Sequence, residues 1–175
     1  MLNQSVANNF ARVLFKIKEY NSDEVYKDFL EFKNIEKNEP LFSEMLKQDF
    51  LSSDKKKMLF YNKFTNLSKY SLFFDYIFRT KKSIYISSIV DNFLELYRDK
   101  NKIGVIEIVS SVEIDNENLS KIVNNIKQKF NFKEVIVKNK INNNIIAGFL
   151  VYVNNYILDF SIKGILNNFH KLLTK

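Results

Sequence analysis

Regular structure has few places to stop in this chain: Pro40, Gly104, Gly148 and Gly164 are the only proline and glycines among its 175 residues. Long helices and strands are therefore expected, with each glycine placed where a side chain does not fit. Gly148 and Gly164 both fall in "IIAGFLVYVNNYILDFSIKGILNNFHKLL", which runs from Ile145 to Leu173.

From Leu2 to about Lys102 the apolar residues recur at helical spacing. Val6, Phe10, Val13, Leu14 and Ile17 form a stripe that predicts the core face of a first helix, with Ala7, Ala11 and Phe15 on an adjacent flank. Asn21 or Ser22 caps a second helix, where Asp23 and Glu24 complement the dipole and Val25, Phe29, Phe32 and Ile35 face inward. Pro40 opens a short third helix, where its missing N–H costs nothing. "SSDKKK" starts a fourth, with Ser52 or Ser53 as cap, Met58, Leu59, Phe64 and Leu67 inward, and Lys55, Lys56 and Lys57 as a solvated face. "YSLFFDYIFRTKK" is apolar nearly all round, so the fifth helix is expected to touch something on more than one side. A sixth carries Ile86, Ile89, Val90, Phe93, Leu94 and Tyr97 inward, and the set reads as a compact bundle.

The period changes at Ile103. "IGVIEIVSSVEI" reads as a strand, "NENLSKIVNNIKQKF" as a helix, and "KEVIVKNKI", "IIAGFLVYV" and "YILD" as three further strands before a terminal helix. "IIAGFLVYV" is expected as a central strand covered on both faces, with Gly148 inside it where a helix crosses. Asn154 and Asn155 are expected as a two-residue hairpin turn. Gly164 lies in the first turn of the terminal helix, expected where that turn packs closely, and Asp159 or Ser161 accepts from the free N–H groups there. The expected fold is α+β: a six-helix bundle over 1–103, then a small α/β domain of order β-α-β-β-β-α over 104–175.

Composition narrows the function. The absence of cysteine excludes disulfides, thiolate metal sites and a cysteine nucleophile. No apolar run approaches the ~20 residues of a membrane-spanning helix, and no apolar leader follows Met1. The net charge of +7 invites a nucleic-acid partner. Yet residues 1–102 carry 18 Lys/Arg against 14 Asp/Glu, and residues 103–175 carry 9 against 6, so the excess forms no patch. His170 stands alone on the terminal helix, without a second histidine or a carboxylate spaced to share a metal. No phosphate-binding glycine loop is present. A basic nucleic-acid-binding or scaffold protein is one reading that the composition leaves open.

The C-terminal stretch also resembles a known family signature. Gly148, the Asn154–Asn155 turn, Ile157, Asp159, Ser161, Ile162, Lys163, Gly164 and Leu166 are similar to the pattern of the delta subunit of F-type ATP synthase, the counterpart of the mitochondrial oligomycin-sensitivity-conferring protein. "NNFARVLFKIKEY" resembles the family's first helix, with Phe10, Ala11, Leu14 and Phe15 in register, and "FRTKKSIYISSIVDNFLELYRDKNKI" resembles its middle segment. The chain departs at Phe160, where the family usually has glycine, at Asn154, where the hairpin often carries glycine, and at Asn142 or Asn143, where an acid is common.

The resemblance implies a non-catalytic stator without cofactor or metal. Its N-terminal bundle would bind the head, through the N-terminal tails of the alpha subunits and contact with beta subunits. Its C-terminal domain would hold the peripheral stalk b subunit, so that rotor torque drives ATP synthesis in a proton-translocating enzyme. It implies a place at the cytoplasmic side of a bacterial cell membrane, reached only through the complex, with the mitochondrial matrix side as the alternative and no nucleic acid bound. The resemblance further points to a tail-binding groove between the first and fifth helices, expected at Ala7, Ala11, Phe15, Leu72, Phe73, Tyr76 and Ile77. Gly148, Asp159, Ser161 and Gly164 are expected to be structural members of the C-terminal motif.

Overall fold

The computed structural model describes residues 2–48, 51–154 and 156–173, with side chains for all of these except 2–4, 43, 168 and 171–173. The chain forms two compact units, Met1–Tyr97 and Arg98–Lys175. The first contains α1 (Leu2–Lys16), α2 (Ser22–Asn38), α3 (Pro40–Lys47), α4 (Ser53–Lys63), α5 (Ser71–Arg79) and most of α6 (Ile86–Asn101), with short 3-10 segments before α5 and α6. Local chemistry sets the helix starts. Asn21 accepts from the Asp23 amide at 3.0 Å, Ser52 accepts from the Lys55 amide at 3.4 Å, and Pro40 occupies the first turn of α3.

The core of this unit is aromatic. Phe29, Phe32, Phe60, Phe74 and Phe93 are fully buried. Phe60 lies at the centre, with ring centroids 4.9 Å from Phe74, 5.3 Å from Phe64, 5.4 Å from Phe78 and 6.3 Å from Phe32. Edge-on and tilted contacts of this kind add to the burial of area.

Three expectations for this unit are corrected, the first being Met58 of α4, expected inward but 59% exposed. On α1 the buried side chains are Ala7, Ala11 and Leu14, while Val13 is 54% exposed. The small residues let α1 approach its neighbours closely, so the face with alanines turns inward together with Leu14 of the expected stripe, while Phe10 and Ile17 are only partly buried against the core and Val13 is displaced to the rim. The lysine run of α4 is not uniformly solvated either: Lys56 is buried, donating to the Leu46 carbonyl at 3.0 Å and to Ser83 Oγ at 3.4 Å. Ser83 Oγ donates to the same carbonyl at 3.0 Å. Lys56 thus ties the end of α3 to α4 and to the segment before α6. Removing its donor while keeping its stem, as in Lys56→Met, is expected to cost about 1–3 kcal/mol in urea unfolding. A cost near zero would show that Ser83 satisfies the carbonyl alone.

The second unit is a four-stranded mixed sheet of order β2-β1-β3-β4, built from β1 (Ile103–Ser110), β2 (Glu134–Ile141), β3 (Phe149–Val153) and β4 (Tyr156–Asp159). β1 and β2 are parallel and joined through α7 (Asn116–Lys129); β3 runs antiparallel to both β1 and β4. Asp115 caps α7 by accepting from the Asn118 amide at 2.9 Å. Ile106, Ile108, Val151 and Val153 pack on Ile126 of α7, and Leu119, Ile122, Val123 and Phe130 line the same helix face. α8 (Ile162–Leu173) ends the chain's described part.

β3 is an inner strand, but its extent and cover differ from expectation. It begins only at Phe149, residues 145–148 form bends, and Tyr152 reaches the solvent. One face is therefore open, as antiparallel strands allow. Val153 pairs with Tyr156, so the connection is the two-residue hairpin, with Asn154 at φ 51°. Asn155 lies outside the described residues.

Candidate functional site

Because α1 buries its alanine face, Val6, Phe10, Val13 and Ile17 are left to line a groove. Leu72, Phe73 and Tyr76 of α5 form the opposite wall, and Asn9, Glu19, Tyr20 and Lys82 complete the lining. The volume is about 640 Å³, in the range of sites that enclose ligands of substantial size. Its walls touch through Phe10, whose ring lies 6.2 Å from both Phe73 and Tyr76. Leu72 is 76% exposed and Tyr76 48%, a large apolar outlay for a surface in water.

The structure brings together Leu72, Phe73 and Tyr76 of the expected groove residues. Ala7, Ala11 and Ile77 are fully buried in the core and line no part of it. Phe15 is partly buried with its ring 5.5 Å from Phe93, also away from the groove. The residues missed on α1 are Val6, Phe10, Val13 and Ile17. Their signal was present as an apolar arc wider than one core face requires.

Beside this groove, Ser53, Asp54 and Lys57 of α4 face Asp75, Phe78 and Arg79 of α5 across a more polar cleft. Lys57 and the Tyr61 hydroxyl both reach the Asp75 carboxylate, at 2.6 and 2.9 Å. Burial, then that carboxylate, pushes the Tyr61 phenol well above its ordinary range.

The C-terminal motif is a compact local device. Gly148 has φ +90°, and a Cβ there would lie 2.4 Å from the Phe160 carbonyl oxygen and 2.8 Å from Ser161 Cα. The β4–α8 turn, not a helix, crosses this glycine, and Gly148 precedes β3 instead of sitting inside it. Ser161 accepts from the Gly164 amide at 3.0 Å, and Asp159 Oδ1 accepts from the Ser161 amide at 2.8 Å. At Gly164 a Cβ would meet the Asp159 carboxylate at 2.4 to 2.6 Å. The glycine makes room for the acid that anchors the cap.

Hydrogen bonds from Ser161 hold the Asp159 carboxyl below its usual range. A folded value below the unfolded one contributes stability above the unfolded carboxylate pKa, and that contribution is lost as the pH falls. Gly148→Ala combines a positive φ with a backbone collision and is expected to destabilise the second unit by about 1–3 kcal/mol or more. Amide hydrogen exchange in β3 and β4 would report it, and unchanged protection would mean the turn can shift freely.

α8 carries an exposed apolar face. Ile162, Ile165, Leu166 and Phe169 are 46 to 62% exposed, beside exposed Ile157 and Phe160. Among the described residues no group of three or more His, Asp or Glu is placed to hold a metal, and no helix is long and apolar enough to cross a membrane.

Known proteins resemble this chain over most of its length. The family model for the ATP synthase delta (OSCP) subunit matches residues 6–173. ATP synthase subunit delta of Wigglesworthia glossinidia brevipalpis is 32% identical over 125 residues, covering 71% of this chain and 70% of the relative. The sodium ion specific ATP synthase subunit delta of Ilyobacter tartaricus is 25% identical, covering 93% and 95%. ATP synthase subunit 5, mitochondrial, of Schizosaccharomyces pombe is 26% identical, covering 91% and 76%. A chain from the Toxoplasma gondii mitochondrial ATP synthase hexamer shares the fold, with a TM-score of 0.74 over 97% of each chain at 18% identity.

Proposed function

The chain belongs to the ATP synthase delta (OSCP) subunit family, and from that premise we propose that it joins head to stalk through two separate surfaces, the α1–α5 groove and the apolar face of α8. It is a non-catalytic peripheral stalk subunit of an F-type ATP synthase. Subunits of this family sit in the complex bound to the head and the peripheral stalk.

The unit 1–103 takes the head. Its groove fits an amphipathic helix, whose apolar side chains at i, i+3, i+4 and i+7 would fill the space between α1 and α5. We assign that helix to the N-terminal tail of an alpha subunit, with beta subunits adjoining. The unit 104–175 takes the peripheral stalk b subunit on α8, where Ile165, Leu166 and Phe169 offer an apolar stripe to a partner helix. Gly148, Asp159, Ser161 and Gly164 act indirectly, by fixing the start of α8. With both ends held, the head cannot turn with the rotor, and torque is available for ATP synthesis. The complex is membrane-associated; we place this chain on the cytoplasmic side of a bacterial cell membrane, with protons as the coupling ion.

The observation that carries the two-surface reading is the apolar groove left open by the inward turn of the alanine face. Affinity purification of the full chain from its own cells in mild detergent tests it. Alpha, beta and b subunits are expected among the co-purifying proteins. Recovery of nucleic acid or an unrelated complex in their place would overturn it.

A further inference from the structure

We propose that the groove, read as the seat of a partner helix, selects that helix by charge as well as by shape. Lys82 beside Phe10 and Glu19 farther along the groove call for an occupant with one acidic and one basic residue about two turns apart, flanking its apolar stripe. The inference rests on the groove assignment above.

The two charges are separated along the groove because α1 and α5 run antiparallel. Tyr20, just beyond α1, meets Tyr70 edge-on at 5.0 Å, at the start of α5. Phe10, in mid-α1, meets Phe73 and Tyr76. Lys82 follows α5, with its Nζ 5.3 Å from the centroid of the Phe10 ring. Glu19 therefore lies beyond Phe10 by the remaining length of α1 and the turn after it, roughly two helical turns of about 5.4 Å each.

The sign at each position is distinct. On the Lys82 side, the Arg79 guanidinium lies 5.6 Å from the Tyr76 ring centroid and adds positive charge. At the other position, Glu19 is the acidic residue that lines the groove; Lys16 and Lys18 flank it in sequence but line no part of it. After burial, the Glu19 charge is the second cause that raises the pKa of Tyr20, a groove residue, so its field is felt inside. Among the described residues neither Glu19 nor Lys82 takes part in an ion pair. Both charges are thus available to a partner. Rim charges of this sort contribute little to raw affinity but discriminate against like charge.

The test uses the full chain and three synthetic helical peptides with one identical apolar stripe. They differ only at two flanking positions seven residues apart, carrying Glu and Lys, Glu and Glu, or Lys and Lys. Fluorescence anisotropy titrations at low salt are expected to favour the Glu/Lys peptide by about threefold to tenfold over either like-charge peptide. The preference should shrink at high salt. Lys82→Glu should move the preference to the Lys/Lys peptide, and Glu19→Lys to the Glu/Glu peptide, with circular dichroism showing both variants folded.

Equal binding of all three peptides in all three proteins would overturn charge selection and leave the groove assignment standing. So would a ranking set by peptide net charge alone, which would report the overall charge of +7. Failure of every peptide to bind would overturn the groove assignment and this inference with it.

Discussion

Phe60→Ala is expected to lower the stability of the helical unit by about 3–5 kcal/mol, the usual cost of deleting a fully buried phenylalanine. Phe60 is fully buried and its ring meets those of Phe32, Tyr61, Phe64, Phe74 and Phe78. Several of these neighbours belong to different elements: Phe32 to α2, and Phe74 and Phe78 to α5. The space left cannot be filled by one of them without opening a gap behind it. For a unit of this size the loss corresponds to a fall in melting temperature of roughly 10 °C or more. The chain lacks tryptophan, so helical circular dichroism during urea unfolding is the suitable reading. Phe60→Leu retains much of the volume and should cost less than half as much. A loss below about 1 kcal/mol for the alanine variant would mean that the ring network is not the source of the unit's stability.

The same residue shows what the sequence conveyed and what it hid. Caps and turns were legible because they depend on near neighbours: Asn21 and Ser52 accept from amides two and three residues on. The change of period at Ile103 was legible for the same reason, since β1 alternates buried and partly exposed residues over its first half. Phe60 was not read as core because the inward stripe was set at Met58, Leu59, Phe64 and Leu67, whereas Phe60 is fully buried and Met58 is exposed. Lys56 enters the interior only because Leu46 and Ser83, 10 and 27 residues away, supply its partners.

On α1 the error concerned which apolar face turns inward. Periodicity ranks faces by the size of their side chains, whereas packing ranks them by how closely a neighbour can approach. Ala7 and Ala11 offer the closer approach, so Val6, Phe10 and Val13 were displaced into the groove. Gly148 was recognisable as a point of close approach, but the element that approaches it is the turn at Phe160 and Ser161, a tertiary fact. The groove itself was legible in part. α5 was apolar on too many sides to be satisfied by one core, and Leu72 and Tyr76 are the surplus.

That surplus carries the second large effect. Leu72→Glu and Val13→Glu are each expected to weaken attachment to the head by roughly 30-fold or more, equivalent to about 2 kcal/mol. Both side chains are mostly exposed, at 76% and 54%, so the variants should fold with stability within about 0.5 kcal/mol of the original. In the complex, however, a helix seated between α1 and α5 would cover them, and a carboxylate there would be stripped of water without a paired charge. Met58→Glu is the control: Met58 is 59% exposed on α4 and lines neither the groove nor the adjoining cleft. Replacing a surface apolar residue by glutamate is thus made equally in all three variants, and only the position differs. Co-purification of alpha and beta subunits should be lost for the two groove variants and retained for Met58→Glu, while the b subunit, which we assign to the other unit, should remain bound in all three. Loss of b together with the head would point to general unfolding. Retention of the head by both groove variants would place its attachment elsewhere on the chain.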